Sequence, residues 1–221
     1  MGRISYEVGK FFGRWFYALS IKSEILRPHL AERPGGYLLA CTHISHLEPF
    51  ILSCLIKRRI DWMARIEFYR WRWARFFLDA FDAFPVNRFG VPVSAIRTAI
   101  ARARAGRVVG IFPEGGVTTG TDSVCRGGPI KRGVCLVSMR ADVPIVPCVV
   151  IGTHTLKQFE PWLPFRRARL WIAFGEPIEP VRNAPTHKAG RAAMARQLSD
   201  AFRSLYLELC QRYNIPDDHT P

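Results

Sequence analysis

Acidic residues are scarce in this sequence: 18 Asp and Glu stand against 32 Lys and Arg, for a formal charge of +14. The excess predicts attraction to polyanions such as nucleic acid, anionic lipid headgroups or phosphorylated cofactors, and charge alone does not choose among them. Also missing is any uninterrupted apolar run of the roughly 18 to 20 residues that a bilayer-crossing helix needs. The opening stretch holds Glu7, Lys10 and Arg14 where a secretory signal needs an apolar centre, and Tyr6 stands where the myristoylation pattern needs Ser or Thr. The six cysteines, at 41, 54, 125, 135, 148 and 210, form no C-x-x-C pair and no Cys/His cluster with zinc-ligand spacing. Most lie in apolar runs, which predicts free thiols packed as small hydrophobes in a reducing compartment, with no metal centre. Internal repeats and low-complexity tracts are absent as well.

What is present is enough apolar surface, 48% of 221 residues, to fill one core, so residues 1–221 read as a single domain. Within it, 1–35 reads as a helical leading segment and 36–215 as an α/β core. From Ile4, the residues Val8, Phe11, Phe12, Trp15 and Leu19 recur at helical spacing, with Arg3, Glu7, Lys10 and Arg14 on the flank. Such an amphipathic helix either packs on its own core or lies in a membrane interface. After "ERPGG" the short runs "YLLACT", "IDWMA", "AFPV", "RVVGIF", "PIVPCVVIG" and "RLWIAFG" have strand length. Helices are predicted over 49–58, 67–80, 92–105, 131–141 and 185–213. The alternation implies a mostly parallel central sheet covered by helices on both faces, whose ligands gather at the carboxyl ends of the strands.

Two stretches at such ends carry chemistry-bearing residues. In "CTHISHLEPF", His43 follows a strand, and Pro49, favoured at the first helical position, marks Glu48 as the helix cap. Across a strand-to-helix turn the two side chains can meet, and a carboxylate on one imidazole nitrogen leaves the other free to take a proton from a hydroxyl. His46 reads as a loop or helix-start residue. In "GIFPEGGVTTG", Pro113 ends a strand, Glu114 is presented, and Gly115 and Gly116 let a ligand approach the backbone. Taken singly, each stretch is also compatible with an ordinary polar turn.

In this order, the two stretches resemble the first and third motifs of the PlsC-type glycerolipid acyltransferase family: a His and an acidic residue separated by four positions, then Phe-Pro-Glu-Gly. "AFPVNR", ending at Arg88, is similar to the second motif and "VPIVPCVV" to the fourth. Ser45 and "PIKRG" also fit, so the resemblance runs from about residue 37 to 151. It implies an O-acyltransferase in which His43 is the general base and Glu48 its orienting acid. Arg88 would contact the acceptor's anionic head and Glu114 with Gly115 would form part of the acceptor site, with Arg88, Lys131 and Arg132 the cations that could substitute for a phosphate-gripping Arg. The acceptor implied is a lysophospholipid such as 1-acylglycerol 3-phosphate. The donor is an acyl thioester of coenzyme A or acyl carrier protein, serving as co-substrate, with no bound cofactor. A thioester is already activated, so positioning and one base suffice without a protein nucleophile.

The chain departs from that pattern at three points: Glu48 where the family has Asp, Thr42 where it often has Asn, and Gly116, Val117 and Thr118 where the phosphatidic-acid makers have Thr-Arg-Ser. The lost Arg leaves a non-phosphate acceptor, such as a lyso-ornithine lipid or a glycolipid hydroxyl, as the alternative. A non-catalytic basic module on the same fold is the other. The segment "EFYRWRWARFF", residues 67–77, interleaves Arg with aromatics as single-stranded nucleic-acid binders do. Beside a lipid-directed site it reads instead as headgroup-level residues. That reading shifts the first helix toward the interface too, and the expectation is a peripheral protein on the anionic, cytoplasmic face of a membrane, with nucleic acid the less favoured partner.

Overall fold

The computed structural model describes residues 2–70, 78, 83–86, 93–156 and 168–216. Helix α1 (Gly2–Ser20) leads into strand β1 (Ile21–Leu26), and β2 (Tyr37–Cys41) is followed by α2 (Glu48–Leu55) and β3 (Ile60–Arg65). Then come β4 (Phe84–Val86), α3 (Val93–Arg104), β5 (Val108–Ile111), α4 (Gly133–Ala141), β6 (Ile145–Ile151), β7 (Ala168–Phe174) and α5 (His187–Tyr213). The strands form one seven-stranded sheet in the order β1-β7-β6-β2-β5-β3-β4. Every pairing is parallel except that of β6 with β7.

The central strands are apolar throughout because both faces are covered. Along β2, Leu38 and Ala40 enter one core while Tyr37, Leu39 and Cys41 enter the other, as the two-residue period of a strand requires. The first core packs the sheet on α3, α4 and α5, through the Ala95, Ala99 and Ala103 stripe and through Met194, Leu198, Phe202 and Leu209. The second packs it on α2, through Ile51 and Leu52, with Tyr17 of α1 at its margin. Helix α5 starts at Thr186, whose hydroxyl accepts from the Ala189 amide at 3.1 Å, and ends at Asn214 in the left-handed conformation. All six cysteines are free thiols and five are buried; burial pushes the Cys125 thiol up to about 12.

Three expectations need correction or completion. The helical part of the leading segment ends at Ser20, not near residue 35, because Ile21–Leu26 pairs with β7 as an edge strand of the sheet. Lys22 and Glu24 break its apolar pattern, as charged residues on edge strands do. Lys10 is not on a solvated flank. It is buried, its ammonium donating to the Ile56 carbonyl at 2.6 Å and the Lys57 carbonyl at 2.8 Å in the turn just past the end of α2. Burial also lowers its pKa. Of the predicted 67–80 helix, residues 67–70 lie in the 3-10 turn Ile66–Arg70, and 71–77, 79 and 80 lie outside the described residues.

With Tyr6, Lys10 and Gly13 turned inward, α1 shows its apolar stripe to solvent. Val8, Phe11, Phe12, Trp15 and Leu19 are 49 to 66% exposed. No helix among the described residues is long and apolar enough to cross a membrane.

Candidate active site

Strand order makes the site. The chain steps from β2 toward β3 in one direction and from β5 across β2 to β6 in the other, so the carboxyl ends of β6, β2 and β5 lie side by side at a switch point. Each end delivers one polar side chain: His43 after β2, Glu114 after β5 and Thr153 after β6.

His43 Nδ1 lies 3.0 Å from Glu48 Oε2. Glu48 is wholly buried, and its other oxygen, Oε1, accepts from the Ser45 amide at 2.7 Å and from the Thr153 hydroxyl. A carboxylate only accepts, so this arrangement puts the imidazole proton on Nδ1 and leaves Nε2 with its lone pair. Glu48 is the first residue of α2 rather than its cap: Leu47 holds the cap position with no side-chain bond, and the Ser45 hydroxyl accepts from the Leu47 amide at 3.3 Å. Freed from capping, the longer glutamate reaches back to His43.

The imidazole is 8% exposed and stacks on Phe112, with centroids 4.0 Å apart, and Phe112 stacks in turn on Trp62 at 5.2 Å. His46 is exposed, its ring edge-on to His43 at 5.8 Å. Thr42 has a role of its own. Its hydroxyl donates to the Val150 carbonyl at 3.3 Å and accepts from the Val150 amide at 3.0 Å, extending the β2–β6 seam to the foot of the histidine loop.

Glu114 lies beneath His43. Its Oε2 accepts from the His43 amide at 2.6 Å, and Oε1 accepts from the Val124 amide at 3.0 Å and, more weakly, from the Ser123 hydroxyl at 3.4 Å. The Thr118 amide donates to the His43 carbonyl at 2.9 Å, so the two loops are joined on both sides of the histidine. Burial raises the Glu114 pKa, opposed by these donors. Gly115 turns the chain at φ +79°, a conformation that favours glycine, and a Cβ there would meet Lys131 Nζ at 2.2 Å. The Lys131 side chain therefore lies over Gly115, anchored by its own amide on the Pro113 carbonyl at 2.9 Å. Five of the six expected site residues thus come together: His43, Glu48, Glu114, Gly115 and Lys131. Arg88 lies outside the described residues. Thr153 is the member that sequence reasoning missed; it is 105 residues from Glu48 and no local pattern links them. Among the described residues no group of three His, Cys, Asp or Glu could hold a metal ion.

The sheet, the switch-point site and the ordered motifs define an acyl-transferring enzyme, and the acyltransferase family model matches residues 23–151, more than half of the chain. The chain belongs to that family. A 1-acyl-sn-glycerol-3-phosphate acyltransferase of Bacillus subtilis (strain 168) is 30% identical over 179 residues, 80% of this chain and 84% of that protein. The crystal structure of PlsC from Thermotoga maritima, a 1-acyl-sn-glycerophosphate (LPA) acyltransferase, matches with a TM-score of 0.68 over 90% of this chain and 79% of that one. At 16% identity that second likeness is one of fold.

Proposed function

We propose that this chain transfers a fatty acyl group from a thioester of coenzyme A or acyl carrier protein to the hydroxyl of a lysophospholipid such as 1-acylglycerol 3-phosphate, working on a membrane surface. The observation that carries the reading is the His43–Glu48 contact of 3.0 Å at the mouth of the central strands. His43 Nε2 takes the proton of the acceptor hydroxyl as the oxygen attacks the thioester carbonyl carbon. The tetrahedral adduct collapses, the C–S bond breaks, and the imidazolium returns the proton to the departing thiolate. Glu48 holds the tautomer and steadies the imidazolium.

Glu114, with both oxygens taken up by protein donors, serves this reading by fixing the histidine backbone rather than by touching the acceptor. In this reading Lys131, whose side chain lies over Gly115, meets an acceptor phosphate in the absence of the motif's Arg. The exposed stripe of α1 supports a peripheral position, apolar rings in the lipid and the basic surface on its headgroups.

One observation favours a second reading. The turn after Glu114 carries Gly116, Val117 and Thr118 with no guanidinium, which suits a hydroxyl acceptor without phosphate. The purified protein given radiolabelled acyl-CoA, and in parallel radiolabelled acyl carrier protein thioester, with a panel of acidic and neutral lysolipids should make a new lipid from at least one donor, and fastest with 1-acylglycerol 3-phosphate. A product from neutral acceptors alone selects the second reading, and salt-sensitive lipid binding without product refutes both.

A further inference from the structure

Glutamate at position 48 poses a physical problem. It carries one more rotatable bond than aspartate, so an unrestrained carboxylate would sweep through several positions, few of them in line with the imidazole. Its Cγ and carboxylate need holding from a second direction. The structure supplies that at Oε1, which takes the Ser45 amide from within its own loop and the Thr153 hydroxyl from the far strand. Thr153 is 0% exposed and opens the 3-10 turn Thr153–Leu156 at the exit of β6. Gly152 places it there, turning at φ +92° where a Cβ would meet the Arg169 carbonyl oxygen at 2.4 Å, so a side chain at 152 is barred by both conformation and space. The turn closes through the Thr155 amide on the Gly152 carbonyl at 3.2 Å. Thr153 thus stands on a rigid base, and its hydroxyl meets a buried anion.

We propose that Thr153 is a positioning residue for acyl transfer, whose hydroxyl pins Glu48 Oε1 so that Oε2 faces His43 Nδ1 and a glutamate can do the orienting. Ser45 alone fixes Oε1 along one direction; the second donor, approaching from β6, sets the plane of the carboxylate. The shorter side chain of aspartate would stop short of the β6 turn, so residues 48 and 153 act as one unit. This inference rests on the reading of His43 as the base.

The test is steady-state acyl transfer by Thr153→Val, which keeps the shape without the hydroxyl, and Thr153→Ser, which keeps the hydroxyl without the methyl. Glu48→Asp, the Glu48→Asp/Thr153→Val double variant and His43→Ala complete the set. Thr153→Val should lower kcat by about 10-fold or more, the size of one hydrogen bond to a charged group, with KM little changed. Thr153→Ser should stay close to the parent. Glu48→Asp should retain reduced turnover, and the double variant should be about as slow as the slower single one, because both changes undo the same alignment.

Parent-like kcat in Thr153→Val overturns the proposal. So does an equal loss in Thr153→Ser, which would mark a packing role, or penalties that multiply. Should Thr153→Val fail to fold, Thr153→Ala carries the same comparison. His43→Ala separates the two levels: an inactive His43→Ala beside a fully active Thr153→Val removes the Thr153 role alone, whereas turnover in His43→Ala removes the base and this inference with it.

Discussion

Both carboxylates at the site have their oxygens engaged before substrate arrives, leaving His43 Nε2 open. Glu48 divides its oxygens, Oε2 to the imidazole and Oε1 to two donors, and Glu114 divides its own, Oε2 to the His43 amide and Oε1 to the Val124 amide and Ser123 hydroxyl. Aromatic stacking fixes what hydrogen bonds leave free: the plane of the imidazole lies 20° from that of Phe112, which rests on Trp62, itself anchored by its indole N–H on the Ser53 hydroxyl at 2.8 Å. Such a stack is worth about 0.5–1.5 kcal/mol beyond area burial. Phe112→Leu keeps most of the volume and loses the flat face, so kcat should fall by roughly 2- to 10-fold, as that energy converts, with little loss of thermal stability. A parent-like kcat would show that the ring plane is set by Glu48 alone.

At the scale of elements, α1 reverses the usual arrangement, with a lysine inward and aromatic rings outward. The inward face is narrow because Gly13 lets α2 approach, its hypothetical Cβ only 2.5 Å from Cys54 Sγ, while Phe16 packs edge-on against Phe50. The outward face is left to solvent, and under the proposed function it meets lipid. Burying a Phe or Trp side chain contributes roughly 1.5–3 kcal/mol, so replacing Phe11, Phe12 and Trp15 with Ser should weaken binding to anionic vesicles by about 100-fold or more in a sedimentation assay. The melting temperature should hardly move, because these rings touch little of the core. The sequence showed this stripe by its spacing but not which way it faced, since a 3.6-residue period is the same for a core-facing and a lipid-facing helix. It likewise showed six of the seven strands, whose apolar runs come from burial on both faces. β1 escaped because an edge strand with Lys22 and Glu24 lacks that run, and its pairing with β7 is a long-range choice. His43 and Glu48 were legible because one tight turn joins them; Thr153 was not, because folding alone brings β6 beside β2.

For the whole molecule, the sheet order does the assembling. Three adjacent strands end at one place, and the residues after them lock together as histidine, carboxylates and threonine, while α1 offers its apolar stripe and the +14 charge favours an anionic surface. A soluble thioester and a lipid hydroxyl would meet at that boundary. The central claim is that His43 Nε2 removes the hydroxyl proton, and the direct measurement is the turnover number of purified His43→Ala with acyl-CoA and the preferred lysolipid, in protein whose circular dichroism matches the parent. The account predicts a loss of about 100- to 10,000-fold, the range for a positioned general base. Turnover within a few-fold of the parent would contradict it.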